Sequence, residues 1–172
     1  SLVNPDRLLN DLRLITGEEP ICIQDECHTI IHRLTGSEGL QKAKDYVGQE
    51  LTNAGYDVQT FDWSRSGYTD QDIIARKQGL TNSNELIFLV AHLDGRKESG
   101  EERFPAADDD ASGVVALLET ARILSSYSFN YTIVFFISTG EEQGTLGVQS
   151  YLNQLSQEEI DAILNVVDID MI

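Results

Sequence analysis

Two hydrophobic patterns alternate along the chain and predict its secondary structure. Apolar residues recur at helical spacing in three segments, and two continuous apolar runs, 86–91 and 133–137, are typical of strands buried on both faces. A last strand is predicted over 163–171. This rhythm of strand and helix predicts an α/β fold, a three-layer α/β/α arrangement with a mostly parallel central sheet. Three helices are predicted to begin at Pro5, after Ser37 and after Asp110, and two further helices to run from the loop 140–144 through Tyr151 and over 157–162.

The remaining segments predict an antiparallel pair and two irregular connections. Alternating residues predict strands over 56–63 and 72–77, with a turn over 64–69 between them. Residues 17–25 read as an irregular connection, and 93–110 as an acid-rich loop. We see no internal repeat or linker, so residues 1–172 are predicted to form a single domain.

The charge balance narrows the possible partners. The 172 residues carry a formal net charge of −17, which argues against binding to nucleic acid or to anionic membrane surfaces. The apolar runs are too short to span a bilayer, and the N-terminus lacks the pattern of a signal peptide. The two cysteines, Cys22 and Cys27, leave both a reduced pair and a local disulfide open.

Ionisable residues follow three of the predicted strands. His92 and Asp94 follow the first, Glu141 and Glu142 the second, and Asp170 lies at the end of the last. Ligands of parallel sheets bind at the carboxyl ends of the strands, and right-handed crossovers bring these residues to one edge. The acidic run 108–110 opens the helix between the first two strands, so the sequence predicts a site at this edge.

The residue types at this edge predict a metal site. Carboxylates combined with one histidine favour zinc over magnesium, which prefers oxygen ligands. A carboxylate between two metal ions fits a two-metal hydrolytic site. Adjacent side chains in extended backbone point to opposite faces, so one of Glu141 and Glu142 can bind metal while the other faces the pocket. Asp94 is placed to hold the second ring nitrogen of His92.

Four motifs in order resemble those of the co-catalytic di-zinc aminopeptidases, a family that also includes glutamate carboxypeptidases and glutaminyl cyclases. The likeness extends upstream to 33–39 and 54–58, so it covers nearly the whole chain. It implies a fold of the zinc-exopeptidase type and hydrolysis of peptides. The motifs are Ala91-His92-Leu93-Asp94, the stretch 107–113, Gly140-Glu141-Glu142-Gln143-Gly144 and Asp168-Ile169-Asp170-Met171-Ile172.

The resemblance implies a role for each matched residue. His92 and Asp170 would bind one zinc ion, Asp109 would bridge two, and Glu142 would bind the second. Glu141 would be the general base that activates a metal-bound water and later protonates the leaving amine. The family also implies a cis peptide bond between Asp109 and Asp110.

The resemblance also implies a further histidine beyond the Asp170 motif, and this chain stops at Ile172. We therefore expect it to be the N-terminal portion of the catalytic domain, with the second zinc position held only by Asp109 and Glu142. His28 and His32, four residues apart, are expected to be structural or surface residues rather than replacement ligands.

The predicted function is that of a zinc-dependent exopeptidase that removes N-terminal residues from peptides. Two alternatives stay open: glutaminyl cyclase or carboxypeptidase chemistry on the same scaffold, and a catalytically silent binding module. The predicted partners are peptide substrates, and the sequence does not indicate an oligomeric state. The resemblance and the acidity imply a secreted or periplasmic protein.

Overall fold

A computed structural model describes residues 2–23, 26–97 and 100–172. Parts of the predicted connection over 17–25 and of the acid-rich loop over 93–110 lie outside these residues. The helices are α1 (Pro5–Ile15), α2 (Glu38–Asn53), α3 (Gly113–Leu124), α4 (Leu146–Gln154) and α5 (Gln157–Asp161). The strands are β1 (Ile21–Ile23), β2 (Glu26–His28), β3 (Asp57–Arg65), β4 (Tyr68–Lys77), β5 (Asn82–His92), β6 (Tyr131–Ser138) and β7 (Ile163–Asp168).

The main sheet has five strands in the order β3-β4-β6-β5-β7. Strands β6, β5 and β7 are parallel to one another, and the two continuous apolar runs lie in β5 and β6. β3 and β4 form an antiparallel hairpin that joins β6 in antiparallel orientation. The α/β class is confirmed, and the sheet is mixed, because two of its four strand pairings are parallel.

Helices cover both faces of the sheet and produce two hydrophobic cores. On one face, apolar residues of α1, α2 and α3 pack against β4, β5 and β6, with Leu40, Leu117 and Phe135 fully buried. On the other face, Tyr151 of α4 packs against Phe136 and other residues of the sheet. The two cores make the three-layer arrangement that the sequence predicts.

Capping residues and turn residues correctly predicted the starts of α1 and α2 and the presence of the β3–β4 hairpin. The side chain of Asn4 accepts hydrogen bonds from the first N–H groups of α1, and Ser37 does so for α2. The hairpin turn is shorter than the predicted 64–69. Ser66 and Gly67 alone form it, and both have the positive φ that a two-residue turn of this kind requires.

The predicted irregular connection instead contains a small β-hairpin. β1 and β2 pair antiparallel, and Cys22 lies opposite Cys27 and forms a disulfide with it. Two strands of three residues are too short for alternation to reveal them. His28 ends β2, and His32 forms an isolated bridge with Phe104, so the two histidines do not share a helix face.

The last strand is shorter than predicted. β7 ends at Asp168, and Asp170 lies in the irregular segment that follows.

Among the described residues, no helix combines the length and the apolar character needed to cross a bilayer.

Candidate metal centre

The carboxyl ends of the three parallel strands lie side by side. In the sheet register, His92 of β5 pairs with Ser138 of β6, and Val90 pairs with Asp168 of β7. The residues that follow these strands therefore emerge at one edge of the sheet, as the sequence predicts.

The imidazole of His92 is the centre of this edge. His92 is only 4% exposed, and its Nε2 lies 2.9 Å from Oδ1 of Asp109. Its Nδ1 lies 3.1 Å from the backbone carbonyl of Asp94, to which it can donate a hydrogen bond. With Nδ1 held by this carbonyl, Nε2 is the ring nitrogen left beside the carboxylate of Asp109, and a metal ion could bind there, as at other metal-binding histidines.

The three aspartates that open the α3 region occupy different environments. The peptide bond between Asp109 and Asp110 is cis, as the resemblance implies. Asp110 is fully buried and its carboxylate accepts three backbone N–H groups, those of His92 at 3.2 Å, Gly113 at 2.8 Å and Met171 at 3.3 Å. The carboxylate of Asp109 is half-exposed beside the imidazole. Asp110 therefore caps α3 and joins three segments, while Asp109 is free to contact a ligand.

Asp94 lies beside the second ring nitrogen of His92, as the sequence predicts, and it hydrogen-bonds this nitrogen through its backbone carbonyl. Its carboxylate Oδ1 lies 3.7 Å from Nδ1 of His92, so the backbone carbonyl makes the hydrogen bond instead. The carboxylate accepts the backbone N–H groups of Glu141 at 3.1 Å and of Glu142 at 3.2 Å. Asp94 is fully buried, and it fixes the loop that carries both glutamates.

Ligand atoms of His92, Asp110 and Asp170 lie within 4.8 Å of one another, close enough to share a metal ion. Of the four residues predicted to bind metal, His92 and Asp170 belong to this group and Asp109 contacts His92 directly. Glu142 lines an open cleft together with Asp109. Asp110 joins the group by proximity, although its three N–H partners already occupy its oxygens.

The electrostatics of the site indicate that it is built for a cation. Burial would lower the pKa of His92, but Asp94, Asp110 and Glu141 outweigh this effect and raise it to about 9. Burial, together with neighbouring acids, raises the pKa values of Glu141 and Glu142. Burial also raises the pKa of Asp110 to about 6, although N–H donors oppose this shift. So many carboxylates around one imidazole fit a divalent cation, which would relieve their repulsion.

Two residues that the sequence analysis left without a role support this arrangement. Arg33 is fully buried and donates hydrogen bonds to the carbonyls of Leu93 and Ala106, on the two sides of the loop between β5 and the acidic run. The hydroxyl of Thr35 lies between the carboxylate of Asp94 and the amide of Gln143. Both lie in the stretch 33–39, whose likeness to the family was the only signal that could have found them.

A comparison with known protein families agrees with the fold and with the candidate metal centre at the carboxyl edge of the sheet. Residues 72–172, more than half of the chain, match the family described as Peptidase family M28. The chain belongs to this family, whose matched region includes every residue predicted at the site. The class of protein that follows is that of the peptidases of this family.

Two relatives are similar to most of this chain, and the name of the second agrees with the family. The alkaline phosphatase isozyme conversion protein of Escherichia coli (strain K12) is 30% identical over 161 residues, covering 80% of this chain and 46% of that protein. A probable zinc metalloprotease of Pyrenophora teres f. teres (strain 0-1) is 25% identical, covering 84% of this chain and 33% of that protein. The chain thus spans less than half the length of these two relatives.

A solved structure supports the fold. The zinc aminopeptidase BSAP from Bacillus subtilis superposes with a TM-score of 0.82 at 13% identity, covering 96% of this chain and 69% of that one. At this identity the likeness shows the fold alone. The role of each site residue therefore remains a prediction that depends on the geometry.

Proposed function

We propose that this chain carries the catalytic centre of a zinc-dependent aminopeptidase that hydrolyses the N-terminal peptide bond of peptides. The observation that carries this proposal is the contact of His92 Nε2 with Asp109, surrounded by buried carboxylates at the carboxyl edge of a parallel sheet. Membership of Peptidase family M28 and the names of the relatives support the same function.

The ligand set of the proposal is His92, Asp109, Glu142 and Asp170. Nε2 of His92 and the carboxylate of Asp109 face each other, and Asp170 lies in the same group. Glu142 and Asp109 line one cleft, which supports a bridging position for Asp109. When bound there, zinc supplies Lewis-acid activation of water and of the scissile carbonyl. Asp94 and Asp110 would hold the ligands in place through backbone hydrogen bonds.

Glu141 is the general base of the proposal. Its backbone N–H is held by Asp94, so its side chain begins from a fixed position at the strand edge. Burial raises the pKa of this carboxyl above its ordinary value, toward the range in which a carboxylate exchanges protons efficiently. The carboxylate would take a proton from the attacking water and then deliver it to the leaving amine.

Two adjacent glutamates offer a matched test of this assignment. We expect Glu141→Gln to leave the zinc content intact and to lower kcat on aminoacyl-anilide substrates by about 10²–10⁴-fold, because it removes the base without removing a ligand. Glu142→Gln should instead lower the zinc content. The measurements are metal analysis and steady-state kinetics on the complete protein.

The result that would reject the proposal is unchanged turnover in Glu141→Gln. A wild-type protein that ignores anilides but cyclises N-terminal glutamine, or cleaves C-terminal residues, would keep the site and reject the substrate class. A wild-type protein that binds zinc and turns over no substrate of this panel would reject catalysis in favour of a binding module.

We also propose that the protein works in an oxidising compartment, outside the cytoplasm. The Cys22–Cys27 disulfide supports this location, because disulfides persist mainly in secreted and periplasmic proteins. The proposed peptide substrates are compatible with a location outside the cytoplasm.

A further inference from the structure

A buried carboxylate lies next to the site without belonging to the acids around His92. Asp72 lies on β4 and is fully buried. Its Oδ1 accepts hydrogen bonds from the backbone N–H of Thr139 at 2.8 Å and from the indole N–H of Trp63 at 3.2 Å. The hydroxyl of Thr139 lies 3.2 Å from the same oxygen. One carboxylate oxygen therefore joins β4 to the residue that follows β6.

The surroundings of Asp72 are closely packed and costly for a carboxylate. Its Oδ2 is buried and has no hydrogen-bond partner among the described residues. A Cβ on Gly147, in the first turn of α4, would lie 2.4 Å from Oδ1 and 2.8 Å from Oδ2. Burial raises the pKa of Asp72 to about 7. An apolar residue would avoid these costs, so the carboxylate needs an explanation beyond core packing.

Thr139 is the start of the compact loop that carries Glu141. The carbonyls of residues 139–141 accept the N–H groups of residues 145–147 at 2.8–3.2 Å, so the loop is closed onto the beginning of α4. Its far side is held by Asp94, which accepts the N–H groups of Glu141 and Glu142. Asp72 and Asp94 thus hold the loop from two sides, and the bond from Asp72 comes two residues before Glu141.

We propose that Asp72 is a positioning residue that sets the placement of the Glu141 carboxylate through its hydrogen bond to Thr139. This inference rests on the proposed role of Glu141 as general base. Asp72 does not contact the cleft, so it acts on the reaction only through the loop. Misplacement of a catalytic group by about 1 Å can cost about 10²-fold in rate, which is the scale of effect that the inference requires.

The test compares two residues of similar size at this position. Asp72→Leu removes the acceptor, whereas Asp72→Asn keeps a carbonyl oxygen for the N–H of Thr139. We expect Asp72→Leu to lower kcat by about 10–100-fold, with KM within about 3-fold and zinc content unchanged. Asp72→Asn should keep kcat within about 3-fold of the wild type.

Asp11 provides the control for a general loss of stability. It is also buried, and its carboxylate accepts a hydrogen bond from Tyr46 at 2.6 Å and pairs with Arg122, so its partners lie on α2 and α3 rather than on the loop. Asp11→Asn should lower the melting temperature and leave kcat unchanged. If Asp72→Leu does not fold, Asp72→Ser takes its place, since its short side chain cannot reach Thr139 and the same loss of kcat is expected.

Three results would overturn the inference: unchanged kcat in Asp72→Leu, a change confined to KM, or an equal loss in Asp72→Asn and Asp72→Leu. Amide hydrogen exchange separates this inference from the proposed function. In Asp72→Leu we expect faster exchange at the N–H groups of Glu141 and Glu142, and not in Asp11→Asn. If the wild type lacks aminopeptidase activity, the proposed function fails, yet unchanged exchange in Asp72→Leu would still separately reject the positioning role.

Discussion

The guanidinium group of Arg33 connects three segments of the chain at the level of a single residue. It donates to the carbonyls of Ile15 at 3.1 Å, Leu93 at 2.7 Å, Pro105 at 2.6 Å and Ala106 at 2.9 Å. Asp94, Asp109 and Asp110 stabilise its charge, although burial lowers its pKa to about 10. A planar group with five donors can satisfy such a ring of carbonyls, and an ammonium group cannot.

We therefore predict that Arg33→Lys lowers the free energy of unfolding by about 2–4 kcal/mol, because it leaves buried carbonyls without donors. Arg103 is the matched control, since it also binds backbone carbonyls, those of Thr16 and Gly17, but from an exposed position. Arg103→Lys should cost less than about 1 kcal/mol. Urea unfolding of both variants measures the difference, and equal costs would contradict the role of burial.

The position of the site residues at one edge of the sheet was predictable from the sequence, but their hydrogen-bond partners were not. His92, Glu141 and Asp170 stand out because they lie at or after the ends of apolar strands, and Asp109 because its acidic run opens a helix. Hydrogen-bond partners depend on distances of a few tenths of an ångström. Asp94 was predictable as a neighbour of the imidazole, but its carboxylate also accepts the N–H groups of Glu141 and Glu142, which the sequence does not reveal.

At the level of secondary structure, the carboxylate of Asp72 lies where β4, the end of β6 and the start of α4 meet, and it can change its charge near neutral pH. The pairing partner of Asp72 on β3 is Phe61, which does not titrate. Trp63, Thr139 and Gly147 also lie against the carboxylate of Asp72, and none of them titrates near neutral pH. On β4 its charged neighbour is Asp70, which is paired with Lys44. The pKa of Asp72, raised by burial from 3.8 to about 7, should therefore be visible in the stability of the protein.

The sign of this effect follows from proton binding. The folded state holds the proton of Asp72 more tightly than the unfolded state, so this residue lowers stability progressively as pH rises from about 4 to about 7, and the loss is constant above. Each pKa unit corresponds to about 1.4 kcal/mol, and the total is on the order of a few kcal/mol. We predict that Asp72→Asn, which cannot ionise, gains stability over the wild type across this window.

Denaturant unfolding followed by circular dichroism from pH 4 to pH 8 measures this difference. The other titrating groups contribute equally to both proteins and cancel in the comparison. A difference between the two proteins that stays constant with pH would show that Asp72 does not change its charge in this range.

The elements themselves were predictable where the pattern is long. Helices α1 and α2 and strands β5 and β6 follow from periodicity and capping residues over eight or more positions. The hairpin of β1 and β2 was missed because three residues per strand are too few to show a period, and the disulfide that joins the two strands was one of two alternatives that the sequence left open. The sequence predicts Asp72 only as the first residue of a strand. Its burial beneath α4 was not predictable, because it depends on how distant elements pack together.

For the whole molecule, the net charge of −17 and the acid-rich edge of the sheet both imply electrostatic repulsion between carboxylates. Like charges repel one another in the compact state and lower its stability. A divalent cation bound at the proposed site would reduce this repulsion locally, and it would bind only the folded state, in which the ligand atoms lie close together. Binding of this kind stabilises a protein by mass action.

We predict that zinc raises the melting temperature of the chelator-treated protein, with about 2.7 kcal/mol of stabilisation when zinc is 100-fold above its dissociation constant. His92→Ala should lose this response, because it removes the nitrogen ligand. His28→Ala should keep it, since His28 lies on β2, outside the group around His92. Thermal melts with and without zinc test all three proteins, and a response retained in His92→Ala would contradict the proposed site.

The position of Trp63 has a practical consequence. It is the only tryptophan of the sequence and is 3% exposed, and a Cβ on Gly140 would lie 2.6 Å from its ring. The indole therefore packs directly against the residue that precedes Glu141. The tryptophan fluorescence of these 172 residues therefore comes from one side chain beside the proposed catalytic loop, and it provides an optical probe of that loop without an attached dye.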